Sequence, residues 1–285
     1  MKEPAKGVLY GLAAYGTWGI VAIYFRALRR VPPLEILAHR IVWSVAVLFI
    51  LVTVMGRWPA LIAVTRSGRA LRLLLLSSSL VATNWYLFIW AVSSNHLVDA
   101  SLGYFITPLV SVLLGFTFLR ERLRRLEWVS VALAGAAVTW LAIGAGVVPW
   151  ISLGVALTFA MYGLVRKIAR VQAVEGLTIE TAMLLPVAAL YLLTITSHFH
   201  PLLPASGPIT ALPLLWFAAA VQRLRLATVG LLQYLSPTIQ ACVAVALFGE
   251  PFGTTRLVAF VLIWTAIAIY SAANLRRYST NDTTV

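Results

Sequence analysis

The chain has 285 residues, of which 61% are hydrophobic and 11% charged, with a formal net charge of +13. Soluble domains carry about 25% charged residues, and a water-soluble fold of this length cannot hide so much apolar surface. The composition therefore excludes a soluble enzyme or binding domain. It also turns the positive charge into a question of topology, with no nucleic-acid partner expected.

Stretches of about 20 apolar residues cross a bilayer. In chain order the sequence predicts ten spans, at roughly 7–24, 36–55, 73–93, 102–119, 129–145, 150–165, 181–196, 204–221, 228–248 and 257–275. The first run lacks a cleavage site and continues as a full span, so no secretory signal peptide is expected. The connector TSHFHPLLPASG at 196–207 reads as a loop, and Pro208 and Pro213 interrupt the short eighth span. The lone Cys242, inside an apolar run, excludes an internal disulfide and is expected to pack. The polar tail STNDTTV closes the chain.

The chain contains one stretch twice. LVDASLGYFITPLVSVLLGFTFLRERL, from Leu97, lies on LATVGLLQYLSPTIQACVAVALFGEPF, from Leu226. Pro108 then falls on Pro237, Glu121 on Glu250, and Phe105 beside Tyr234. Further upstream, at a larger offset, Arg26 falls on Arg166 and Glu35 on Glu175. Residues 1–145 and 146–285 therefore read as two five-helix repeats. An odd number of spans makes the second enter the membrane from the opposite side. The expected fold is an all-α polytopic membrane protein, ten transmembrane helices in two inverted repeats.

Lysine and arginine set orientation. Of the 22 basic residues, all but Arg26, Arg29, Arg30, Arg40 and Arg256 fall on the side of the N-terminus. Both termini are expected in the cytoplasm.

An ionisable residue inside a membrane is a functional candidate. The nine acidic residues, Glu3, Glu35, Asp99, Glu121, Glu127, Glu175, Glu180, Glu250 and Asp282, all read as lying near span ends or outside them. That argues against a buried acid exchanging solute for proton. Spans four and nine carry matching stripes at helical spacing: Ser101, Tyr104, Pro108, Ser111 and Gly115 against Gly230, Gln233, Pro237, Gln240 and Ala244. Pro108 and Pro237 each remove a backbone donor, free a carbonyl four residues earlier and are expected to kink their helices. Two inverted copies of this stripe would face a central cavity, although small and polar residues also serve tight helix packing. Asn84 in span three either joins that cavity or bonds a neighbouring helix. Trp18, Trp43, Tyr162, Trp216 and Tyr234 lie well inside spans, and an aromatic lining suits a flat or amphipathic solute. Glu35, His39 and Arg40 cluster at the outer end of span two, as an interfacial charge patch or as a gating and coupling site. Transport would be uncoupled, the reading favoured here, or would take protons through His39. No HExxH, GxSxG, P-loop or Cys/His metal spacing occurs, so no enzyme activity, cofactor or metal is expected.

Several stretches resemble the RarD family of EamA-type permeases, in the drug/metabolite transporter superfamily. They are VPPLEILAHRIVWS (31–44), NWYLFIWAV (84–92), DASLGYFITPLVSVLLG (99–115), ERL (121–123), PWISLGVALTFAMYGLVRK (149–167), GLLQYLSPTIQ (230–240) and GEPF (249–252). The resemblance runs over roughly residues 5 to 278. It implies ten helices in inverted repeats, a bacterial inner-membrane location and export of small organic solutes. A chloramphenicol-related label in the family names a phenotype, and the solute is expected to be a metabolite. The family offers no agreed binding residues, so the substrate-binding candidates rest on the residues alone: Asn84, Tyr104, Ser111, Gln233, Tyr234, Gln240 and Trp216. The expected partners are the lipid bilayer and a small solute, with the protein a monomer or homodimer. A channel or a membrane solute sensor on the same fold is the alternative.

Overall fold

The computed structural model describes residues 3–28, 30–93, 97–145, 149–195, 200–248 and 253–281. Glu250, His198 and Asp282 lie outside the described residues, as do the side chains of Asp99, Ser101 and Ala244. Among the described residues every regular element is helical. In chain order they are α1 (Glu3–Ala27), α2 (Pro33–Val54), α3 (Trp58–Thr65), α4 (Gly68–Ser93), α5 (Leu97–Phe118), α6 (Arg125–Ala145), α7 (Pro149–Ala169) and α8 (Ala173–Thr194). After a single 3-10 turn at Leu203–Ala205 come α9 (Ser206–Arg223), α10 (Leu226–Leu232), α11 (Leu235–Phe248) and α12 (Thr254–Asn281). Eight stretches are long and apolar enough to cross a membrane, and two shorter apolar helices, Gly103–Phe118 and Leu257–Ala273, accompany them.

Four features depart from the sequence expectation. Helix α8 begins at Ala173, not near 181, so Glu175 and Glu180 lie within it and are 1% exposed. Partners offered by other helices allow these carboxylates to be enclosed, and a carboxylate then no longer marks the end of a span. Helix α9 runs through both Pro208 and Pro213. Pro208 sits in the first turn, where no backbone donor is needed. The ninth span is broken between α10 and α11, at Gln233–Tyr234. Because Pro237 has no N–H to offer the Gln233 carbonyl, Ser236 N donates to it instead at 3.0 Å, a tighter turn. Helix α5, by contrast, continues through Pro108. Finally, Cys242 on α11 is exposed, not packed.

Helix α1 packs on α9 and α11, while α7 packs on α4 and α5. Helix α2 lies on α8 and α9, α5 crosses α10, and α6 pairs with α12. The α6–α12 seam is built on Ala134, Ala137, Ala259 and Ala266, all fully buried. In lipid, such small residues let two helices approach closely enough for dispersion to hold them. The crossing of α5 and α10 is tighter. A Cβ on Gly230 would stand 2.9 Å from the Ser111 Cβ and 3.0 Å from the Pro108 carbonyl oxygen.

Charges close the end of the bundle that holds the α9–α10 connection. Glu121 accepts hydrogen bonds from Leu226 N at 2.7 Å and Ala227 N at 3.2 Å, filling the otherwise empty donors that open α10. The carboxylate fits because Gly115 has no side chain; a Cβ there would lie 2.7 Å from Glu121 Oε2. Arg225 joins Glu127 at 2.8 Å and Glu121 at 3.9 Å. Lys167 donates to the carbonyls of Val221 and Leu224 at the end of α9, where a cation opposes the negative end of the helix dipole.

Candidate functional site

Arg40 lies seven residues into α2, about 10 Å along the helix from Pro33. Its guanidinium is turned into the bundle. Nε donates to Thr210 Oγ1 of α9 at 2.8 Å. The charge stands 5.1 Å from the ring centre of Trp85 on α4 and 5.4 Å from that of Phe25 on α1. Tyr24 of α1 and Tyr104 of α5 lie within its electrostatic reach. Side chains from three other helices, α1, α4 and α9, thus converge on one cation. Glu35 and His39 do not form one solvated patch with it: Glu35 is 1% exposed, and the buried His39 Nε2 has no hydrogen-bond partner. Glu35 and His39, four apart, share one face of α2, while Arg40, the next position after His39, points in another direction.

Aromatic rings lie next to this cation. Trp18 of α1 stands 5.8 Å from Phe159 of α7 and 5.9 Å from Phe217 of α9, and Tyr162 stacks on Phe217 at 5.7 Å. Trp85 and Trp216 pack against this cluster, so Trp85 touches both it and Arg40. Tyr15 belongs to the same cluster, and its hydroxyl is buried without a partner. Phe88 and Tyr104 pair at 5.8 Å on the α4–α5 side. Asn84 is 1% exposed, and both its donors are used, on the Val155 carbonyl at 2.9 Å and Thr158 Oγ1 at 3.0 Å, so it joins α4 to α7.

The matched stripes meet at the α5–α10 crossing. Ser111 is buried against Gly230. Tyr234 is fully buried, and its hydroxyl donates to the Phe105 carbonyl at 3.2 Å. Gln233 is 5% exposed at the break between α10 and α11. Gln240 is exposed and reaches α1, donating to the Trp18 carbonyl at 3.0 Å.

A second charged cluster escapes the span count. Arg166 of α7 and Glu180 of α8 are paired at 3.5 Å with side-chain exposures of 0% and 1%. Ser77 of α4 donates to Glu180 Oε1, and Tyr162 donates to Oε2 at 3.4 Å. Ser78 bonds the Glu180 carbonyl at 3.1 Å. Gly176 leaves the space that the guanidinium fills, since a Cβ there would lie 2.7 Å from Arg166 Cζ. Glu180 lies seven residues into α8, as Arg40 lies seven into α2. The offset that sets Arg26 on Arg166 and Glu35 on Glu175 also sets Arg40 on Glu180. That match was the signal in the sequence. It pairs a cation with an acid, so identity matching passes over it.

An all-helical, membrane-crossing bundle with a polar and aromatic centre defines the class, and comparison with known proteins gives it a family. Residues 5–143 match the EamA-like transporter family. The chain is 45% identical over 280 residues to "Protein RarD" of Escherichia coli strain K12, spanning 94% of this chain and 95% of that one. It is 42% identical over 286 residues to an "Uncharacterized transporter" of Vibrio cholerae, spanning 96% and 95%. A solved crystal structure superposes with a TM-score of 0.73 at 19% identity, over 93% of this chain and 96% of that one, and shares the fold. The chain belongs to the RarD family of EamA-like transporters, in the drug/metabolite transporter superfamily. It is a multi-pass inner-membrane transporter.

Proposed function

We propose that this protein is a secondary exporter of small organic metabolites, built from two inverted five-helix repeats, residues 1–145 and 146–285, with both termini in the cytoplasm. The observation that carries the reading is the exchange of partners between halves. The first helix of the first half, α1, packs on α9 and α11 of the second; the first helix of the second half, α7, packs on α4 and α5 of the first. Inverted repeats that trade contacts in this way leave a shared site between them and open it to either side by rocking.

The solute would lie between Arg40 and the aromatic cluster of Trp18, Phe159 and Phe217, with Trp85 as the wall common to both. Gln233, Gln240 and Tyr104 supply amide and hydroxyl groups around it. The Arg166–Glu180 cluster closes the half facing the N-terminal side. Comparison of metabolites in the medium of cells with and without the gene tests export: at least one small solute should accumulate outside only when the gene is present. Identical media would refute it. A cytoplasm-only reporter fused after Tyr278 should be active, and a silent one would overturn the orientation.

A further inference from the structure

We propose that Arg40 is an anion-recognition group, taking the oxyanion of an amphipathic organic solute whose aromatic or apolar body lies against Trp85 and the neighbouring cluster of Trp18, Phe159 and Phe217. The inference deepens the export reading and rests on it for the statement that the ligand is cargo; binding itself stands apart.

Arginines that are partly or fully buried here come with acids. Among the described arginines that are not exposed, Arg57 holds Glu175, Arg166 holds Glu180, Arg223 holds Glu3 and Arg225 holds Glu127. Arg40 alone in this set forms no ion pair among the described residues. Glu35 sits on the same helix, yet it does not pair with Arg40. Arg40 is partly buried, and a cation drawn into a membrane bundle without a counter-ion is costly, a cost that the two rings beside it return only in part. Thr210 takes only the Nε hydrogen. The four Nη hydrogens remain.

Geometry says what would use them. A guanidinium places its donors in its own plane, while rings act on its faces. The rings of Trp85 and Phe25 meet the cation at 5.1 and 5.4 Å and offer its Nη hydrogens no oxygen acceptor. Two parallel Nη donors match the two oxygens of a carboxylate, or two of a phosphoryl group. Tyr104, whose ring pairs with Phe88 at 5.8 Å, supplies another hydroxyl on the α5 side of Arg40. Tyr24 is already committed to the Leu202 carbonyl. The matching position in the other half makes the contrast: Glu180 is answered by Arg166, Ser77 and Tyr162 from within the protein. One half supplies its own counter-charge, and the other leaves it to the ligand.

The test is calorimetric titration of the full chain in phosphatidylcholine nanodiscs with phenylacetate, phenyl phosphate and the neutral phenylacetamide. Wild type should bind phenylacetate or phenyl phosphate at least about tenfold tighter than the amide, the order expected for one good charged hydrogen-bonded contact. Arg40→Gln should bring all three within about twofold, and Arg40→Lys should keep part of the preference. Tyr104→Phe, which leaves every contact of Arg40 with Thr210, Trp85 and Phe25 in place, should weaken the anions and not the amide; it carries the test if the glutamine variant does not fold. Equal binding of amide and anions by wild type, an undiminished preference in Arg40→Gln, or no anion binding at millimolar concentration would each overturn the proposal. Loss of phenylacetate binding in phosphatidylglycerol discs at matched salt would assign the site to a lipid headgroup and overturn the solute reading. Failure of export would appear separately, in the comparison of media, and would leave the binding preference untouched.

Discussion

Tyr234 and Phe105 occupy the same place in the two copies of the repeated stretch, 129 residues apart, and they touch. The Tyr234 hydroxyl donates to the Phe105 carbonyl at 3.2 Å, and the two rings stand 6.4 Å apart. Here that contact falls beside the crossing where Gly230 meets Pro108 and Ser111.

Tyr234→Phe keeps the ring and removes the bond. A hydrogen bond between membrane helices is worth about 0.6–2 kcal/mol. The variant should unfold at a lower temperature by that margin, with fold unchanged. Thermal unfolding in nanodiscs measures it, and a midpoint equal to wild type would mean that the hydroxyl contributes nothing to the crossing.

Gly230 is limited by space. Valine there would drive carbons into the Pro108 backbone, which cannot step aside, and overpacking of this kind costs about 1–3 kcal/mol or more. Alanine should be milder and valine should reduce the folded yield sharply. Size-exclusion profiles of both variants decide this; a wild-type profile for the valine variant would show that α5 and α10 are free to separate.

The buried Arg166–Glu180 pair should show strong coupling. Removing one partner strands a charge and costs about 3–5 kcal/mol, whereas replacing both with apolar residues is often neutral. Glu180→Gln and Arg166→Met should each destabilise, and the double variant should be more stable than either. Additive losses in a double-mutant cycle would refute the coupling.

Asn84 and Gln233 should respond differently to alanine. Asn84 spends both donors on α7, so Asn84→Ala should lower stability first. Gln233 lies at a helix break, where its loss should lower export while leaving the unfolding temperature within a degree or two. If Gln233→Ala exports normally, the matched stripe serves packing and does not bind solute.

The sequence by itself determined that this is a membrane-spanning helical protein and where most helices run, because each span must satisfy its own backbone in lipid and therefore writes its length and apolarity into local composition. It also suggested a repeat, since the Pro108-to-Glu121 spacing returns from Pro237 to Glu250. It did not place Glu180 within a helix: a window of hydropathy ends at a carboxylate, and only the Arg166, Ser77 and Tyr162 side chains from α7 and α4 make that burial possible. Nor did it turn Arg40 inward. Glu35, His39 and Arg40 look like one charged cluster when read along the chain. The direction of each is decided by what stands opposite, and for Arg40 that is Thr210, Trp85 and Phe25, on three other helices. Backbone hydrogen bonding in a membrane is a local constraint and is legible in sequence; the pairing of buried charge is made between helices distant in the chain, and only the tertiary structure decides it.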